Sequence, residues 1–192
     1  MAVQARRNSR RELLLHRGIE ELNLYGLSNF SMRRIAEACG VTHAAITRHF
    51  GNRSGYIAAI IDGLNAEWTK RQVRIIQDYA HDTRRQLVEI SIAYVTFLVE
   101  NPHLRSILFL RDDDFDNAYH PLKSQMTGLT QQLVSRYCAE VQMPDDVRVR
   151  KLYVVRALIY GAALMFDNGE LPYNEENLAM VRANIDREFD LP

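Results

Sequence analysis

Apolar residues along this 192-residue chain recur three and four positions apart, and no run of strict alternation is bounded by hairpin signals. That pattern predicts an all-α fold. Gly, Pro, Asn and Asp interrupt it at residues 26–30, 40–42, 51–53, 81–82, 101–102, 112–120, 143–145 and 168–174, which implies about nine helices. In the first segment Leu14, Leu15, Ile19 and Leu22 share a helical face, and Gly26 follows where a C-terminal signal belongs. Ser31 is placed to cap a second helix whose Ile35, Ala36 and Cys39 form a short apolar face ending at Gly40. Thr42 can cap a third, with Ile46 and Phe50 one turn apart on its inner side. From about Ser54 the pattern runs to Tyr79, so one long helix is expected to join a head, residues 1–56, to a body, residues 57–192. Further helices are expected near 83–100, 102–110, 121–142, 146–167 and 175–189, with no internal repeat.

A hydrophobic fraction of 47% and a charged fraction of 25% belong to a chain that folds, not to a disordered one. No apolar run approaches the roughly 18–20 residues needed to cross a bilayer, and the N-terminus lacks a secretory cleavage pattern, so a cytoplasmic location and no membrane partner are expected. Cys39 and Cys138 lie far apart, without CxxC spacing, and are expected as reduced, buried thiols. The formal net charge of +0 hides an asymmetry. Residues 1–56 hold 9 Lys and Arg against 4 Asp and Glu, whereas residues 57–192 hold 15 against 20. A basic head on an acidic body suits a head that meets a polyanion.

The stretch "SMRRIAEACGVTHAAITRHFGNRSGY" has what a helix-turn-helix requires. Gly40 can take the left-handed turn conformation, Ala36 is small where the helices cross, and Val41, Ile46 and Phe50 can pin the pair. His43, Ala44, Thr47, Arg48 and His49 remain for an outer face. Arg33, Arg34, Arg48 and Arg53, with Arg6, Arg7, Arg10 and Arg11 upstream, are suited to phosphate contacts, although such a surface can also be merely solvated.

Continued to "SMRRIAEACGVTHAAITRHFGNRSGYIAAI" and upstream through "LLLHRGIEELNLYGLSNF", the stretch resembles the DNA-binding signature of the TetR family of transcriptional regulators over about residues 11–60. Members commonly carry a Tyr-x-Tyr-Phe cluster late in the recognition helix and a Lys opening the next helix; this chain has Thr47, Arg48, His49, Phe50 and Arg53 there. The resemblance implies that Thr42, His43, Thr47, Arg48 and His49 face the major groove or its flanking phosphates, with Ser31, Arg33 and Arg53 holding the backbone. Arg48 can pair bidentately with guanine or contact phosphate. His49 can gain a phosphate bond when protonated or pack beside Phe50.

The same resemblance implies a homodimer, a palindromic double-stranded operator, and a small-molecule effector that releases the protein from DNA as a repressor. "KLYVVRALIYGAALMF" is apolar over more than one face, and Gly161, Ala162 and Ala163 permit close helix approach. In the last helix Leu178, Val181, Ile185 and Phe189 form a stripe assigned, with Ala162, to the dimer interface. Candidates for the effector pocket are Tyr94, Phe97, Leu98, Phe109, Met126, Leu129, Tyr153, Arg156 and Tyr160. Arg156 is a cation in an apolar stretch, and either an effector carboxylate or an acidic side chain such as Glu100 would answer it.

Asp112, Asp114 and Asp116 match the opening of a calcium loop, but Asn117 stands where glycine is needed and Lys123 where the terminal glutamate belongs, so no metal site is expected. No cofactor is expected either. GxSxG, HExxH, GxxxxGK[ST] and GxGxxG are absent, and the six histidines show no ligand spacing, which points to binding and away from an enzyme. The alternative is an all-α protein-interaction module without specific DNA binding.

Overall fold

The computed structural model describes the backbone of residues 2–102 and 113–190, with side chains described within 9–102 and 126–190. Eight helices and no strand are found among these residues: α1 (Ala2–Tyr25), α2 (Met32–Ala38), α3 (His43–Phe50), α4 (Arg53–Asp78), α5 (Thr83–Glu100), α6 (Asp113–Glu140), α7 (Asp145–Asp167) and α8 (Glu175–Arg187). The expected helix near 102–110 lies outside the described residues. A break was expected through 112–120, but α6 is already helical from Asp113 and passes through Pro121. A proline inside a helix leaves the carbonyl four residues earlier without its N–H partner, so sequence alone favours an end there; the helix continues regardless.

Local chemistry explains most boundaries. Ser31 and Thr42, both in extended conformation, accept at their hydroxyls from the backbone N–H groups of Arg34 (3.3 Å) and Ala45 (3.2 Å). These bonds satisfy donors that a helix start otherwise leaves orphaned. Asp82 and Asn174 cap α5 and α8 in the same way. Gly40 sits at φ +61 between α2 and α3, a conformation disfavoured for any residue with a Cβ.

The chain divides into two compact units. The first runs through Glu67 and takes in α6 up to Lys123; the second comprises Trp68–Pro102 and the chain from Ser124 onward. Within the first unit, α1 and α3 both pack on α2's neighbourhood through Leu14, Leu22, Ile35, Ala36, Ile46 and Phe50, all at or below 8% exposure. Tyr56 is wholly buried, stacked on Phe50 at 4.0 Å, edge-on to Phe30 at 5.4 Å, and donates its hydroxyl to the Leu14 carbonyl. α1 can approach because residue 18 is glycine: a Cβ there would stand 2.9 Å from both Ile60 and Tyr56 side-chain atoms. In the second unit α5 is the central helix, packed chiefly on α7 and α8, with Val95, Phe97 and Leu98 wholly buried.

Candidate nucleic-acid interface and body cavity

α3 is a short helix with one buried face. Ile46 (0%) and Phe50 (8%) point inward, which leaves Thr42, His43, Ala44, Thr47 and Arg48 exposed, with no acidic residue anywhere in the helix. Thr47 donates its hydroxyl to the His43 carbonyl at 3.1 Å and lies 3.4 Å from the His43 Nδ1. His49 is half-buried, its ring 6.0 Å from that of Phe50. Val41, expected as an anchor, is only half-buried. Arg48 is exposed and makes no hydrogen bond or ion pair among the described residues.

The arginines that look interchangeable in sequence separate in three dimensions. Arg33 is exposed and, among the described residues, bonds only Glu37, one turn along, at 3.1 Å. Arg34 instead reaches back to α1: its guanidinium donates to Glu21 Oε1 and to the Asn29 carbonyl, and lies 4.1 Å over the Tyr25 ring. Glu21 is 6% exposed and also accepts from the Ser31 backbone N–H at 3.0 Å. One buried carboxylate thus ties the end of α1 to the start of α2, and the hydrogen bond that Arg34 donates to Glu21 raises the Arg34 pKa above its ordinary value. Arg53 donates to the carbonyls of Leu27 and Phe30, so its guanidinium closes the α1–α2 turn. Ser31, likewise, is engaged as a cap. Sequence reasoning missed Glu21; an acid 13 residues before an arginine has no local signature.

The second unit contains a cavity of about 410 Å³ walled by α5, α6 and α7, with Trp68 and Phe189 also in its lining. Four expected pocket residues, Tyr94, Met126, Arg156 and Tyr160, line it. The others do not. Phe97 and Leu98 are wholly buried core side chains, Leu129 is half-buried away from the wall, Tyr153 is 73% exposed, and Phe109 lies outside the described residues. Tyr153 fails for a geometric reason: at 100° per residue it lies opposite Val155, Ile159, Ala162 and Phe166, the buried face of α7. Extending that face back one and then two turns reaches Leu152 and Arg148, which do line the cavity and could have been found that way.

Tyr94 sits between Trp68 (5.0 Å between rings) and Tyr160 (6.4 Å). Burial, and then the neighbouring Tyr160, push its phenol well above the usual range, against the lowering effect of Arg156. Glu100 is not the partner of Arg156; it pairs with Arg71 at 2.8 Å. The two thiols are free and half-buried instead of fully buried, each raised in pKa first by burial, and Cys138 lies 3.8 Å from the Met143 sulfur.

The proposed interface stripe also needs correction. Val181 (6%), Ile185 (0%) and Ala162 (7%) are covered by the chain's own core, and Phe189 packs edge-on to Tyr137 at 5.4 Å in the cavity wall; Leu178 is half-buried. An apolar stripe marks a face that must be covered, without saying by what. The large apolar side chains left exposed on these two helices lie off the buried faces: Val149 (62%), Tyr153 (73%), Leu164 (53%) and Met165 (41%) on α7, and Met180 (46%) on α8.

No group of His, Cys, Asp and Glu among the described residues could hold a metal ion, and no described helix is long and apolar enough to cross a membrane. Of the calcium-like stretch, Asp112 and the side chains of Asp114, Asp116, Asn117 and Lys123 lie outside what the structure describes.

Residues 14–60 match the family model of bacterial regulatory proteins, tetR family. No curated protein matches in sequence. Among solved structures, a protein of unknown function from Rhodococcus sp. RHA1 is similar at TM-score 0.74 and 21% identity, covering 93% of this chain and 92% of that one. A TetR/AcrR-family transcriptional regulator from Thermobifida fusca is similar at TM-score 0.62 and 17% identity, covering 94% and 96%. The transcriptional regulator FadR from Bacillus subtilis, in complex with stearoyl-CoA, is similar at TM-score 0.72 and 10% identity, covering 93% and 96%. At these identities the structural likenesses carry the fold alone.

Proposed function

We propose that this chain, a member of the TetR family of bacterial regulatory proteins, is a repressor that binds a palindromic operator as a homodimer and leaves it when a small molecule occupies the body cavity. The observation that carries the reading is α3: a capped helix pinned by Ile46 and Phe50, with no acid in its own sequence, presenting Thr42, His43, Thr47 and an Arg48 that has no ion-pair partner among the described residues. Such a face meets phosphates without repulsion and offers base edges one long, always-charged fork. Arg33, with its partner Glu37 exposed, can exchange that ion pair for a phosphate at little cost. Ser31 and Arg53 serve the interface indirectly, Ser31 by capping the start of α2 and Arg53 by holding the start of α4 to the α1–α2 turn.

Dimerisation falls to the outward faces of α7 and α8, where Tyr153, Ala157 and Leu164 are exposed together on one helix and Met180 and Ala183 on the other. Small residues among larger apolar ones allow close approach between copies. Two-fold symmetry then requires equivalent half-sites. For the effector, the support is the 410 Å³ cavity, within the roughly 300–1,000 Å³ usual for ligand sites, and the ligand complex of the similarly folded Bacillus subtilis regulator. The chemistry is binding, with differential affinity for two states supplying the switch.

The test is selection of bound duplexes from a random pool, followed by binding of the selected site by wild type and Arg48→Ala at several salt concentrations. A palindromic consensus whose discrimination falls by about 1–3 kcal/mol at one position per half-site in the mutant is expected. Sequence-blind binding with the same salt slope in both proteins would overturn the reading.

A further inference from the structure

The wall of the body cavity is electrically one-sided. Among the described residues it includes three basic side chains, Arg148, Lys151 and Arg156, and no aspartate or glutamate side chain. This occurs in the half of the chain where acids outnumber bases, 20 against 15 over residues 57–192. Two of the cations are already answered: Arg148 bonds Asp145 at 2.9 Å, and Lys151 donates to the Asp190 backbone carbonyl at 2.8 Å. Arg156 makes no hydrogen bond or ion pair among the described residues, and the carboxylate nearest to it in expectation, Glu100, belongs to Arg71. The rest of the lining is apolar or neutral: Trp68, Ile90, Met126 and Ile159 supply surface for a nonpolar body, while Tyr94 and Thr130 supply hydroxyls.

From this asymmetry we infer that the cavity's ligand is a monocarboxylic acid with an apolar body, bound as its anion with the carboxylate on the Arg156 guanidinium and the apolar part between α5, α6 and α7. A guanidinium and a carboxylate form paired, charge-assisted bonds in a fixed fork geometry that a neutral alcohol cannot match. Cationic ligands are disfavoured by Arg156 and by Lys151, whose backbone-carbonyl partner leaves its charge uncompensated. Tyr94 does not supply the negative charge: its buried phenol stays neutral and acts as a hydroxyl. The inference names the ligand class of the site given the effector role above, and so rests on that reading.

The experiment titrates the full chain by calorimetry with decanoate, decanol and decyltrimethylammonium, and with 2-naphthoate against 2-naphthalenemethanol. Carboxylates are expected to bind at least tenfold tighter than the matching alcohols, and the ammonium compound not to bind. Shortening the aliphatic acid one methylene at a time should weaken binding about fourfold per step while the chain remains inside the cavity. Arg156→Gln should remove the tenfold preference without changing alcohol binding, Arg156→Lys should keep part of it, and Lys151→Gln should change it less. Arg156 is exposed and makes no hydrogen bond or ion pair among the described residues, so its variants should fold as wild type does. Equal binding of acid and alcohol by wild type, an equal loss of both in Arg156→Gln, or binding by neither acid would overturn the inference. Operator release is read separately. An acid that binds through Arg156 yet leaves operator affinity unchanged supports the ligand class and sinks the effector role; release by a neutral or cationic occupant of the cavity keeps the role and sinks the class.

Discussion

In the first unit the buried carboxylate of Glu21 accepts from the Ser31 N–H and from Arg34, and every one of those bonds joins one helix to the next. In the second unit the cavity wall gathers three cations, and the exposed guanidinium of Arg156 has no partner among the described residues. Both are charges at the edge of apolar surroundings. The difference lies in whether the chain itself answers them. A satisfied charge is architecture, since removing its partners would leave the buried Glu21 carboxylate with an uncompensated desolvation cost. An unanswered one beside a cavity is available to something else. Within the first unit the same distinction separates Arg34, held by Glu21 and Asn29, from Arg48, held by nothing described.

The largest effect that would break this comparison comes from the faces of α8. Ile185→Asp places a charge at a site with 0% exposure and should cost more than about 4 kcal/mol, unfolding the chain at ambient temperature as read by circular dichroism. Met180→Asp, at 46% exposure, should leave the fold intact and shift sedimentation toward monomer. Equal destabilisation by the two would mean that the inward and outward faces are not distinct.

A smaller effect sharpens the Glu21 side. Glu21→Ala should lower unfolding free energy by about 2–3 kcal/mol in urea titration, the worth of charge-assisted bonds to a largely buried acceptor discounted for the exposed arginine. Arg156→Ala should change stability by no more than about 0.5 kcal/mol. A matching loss in both would erase the contrast between an answered and an unanswered charge.

The smallest effect is confined to alkaline solution. Burial, then the electrostatic influence of Cys39 and Glu21, holds the Tyr56 phenol above its ordinary value. The unfolded chain therefore loses this proton first, near pH ~10, while the folded chain keeps it. The unfolded state then binds fewer protons, so stability is fully present below pH ~10 and falls by up to roughly 1.4 kcal/mol per pH unit above it, until the folded-state phenol ionises. Tyr56→Phe should flatten that limb in urea titrations between pH 9 and 11, while lowering stability at neutral pH through loss of the bond to the Leu14 carbonyl.

What could be read in the chain was whatever depends on neighbours within about one helical turn. Ser31 and Thr42 cap their helices because a hydroxyl three residues before an N–H needs no help from the rest of the fold, and Gly40 turns because its own backbone permits φ +61. The polar face of α3 follows from the positions of Ile46 and Phe50 in the same eight residues. Periodicity, however, gives an angle about a helix axis and not the identity of what lies beyond it. Val181 and Ile185 read as a stripe to be covered, and only packing against the body's own core decided that the cover was this chain and not a second copy. Four cavity residues were legible as inward-facing, and Arg148 follows from extending the same face of α7, but Lys151 joined them through the meeting of α5, α6 and α7, which local spacing does not encode. The division of the arginines was decided in the same way: Arg34 finds Glu21 across 13 residues, Arg53 finds Leu27 across 26, and Arg48 is left for a partner because tertiary structure brings it none among the described residues.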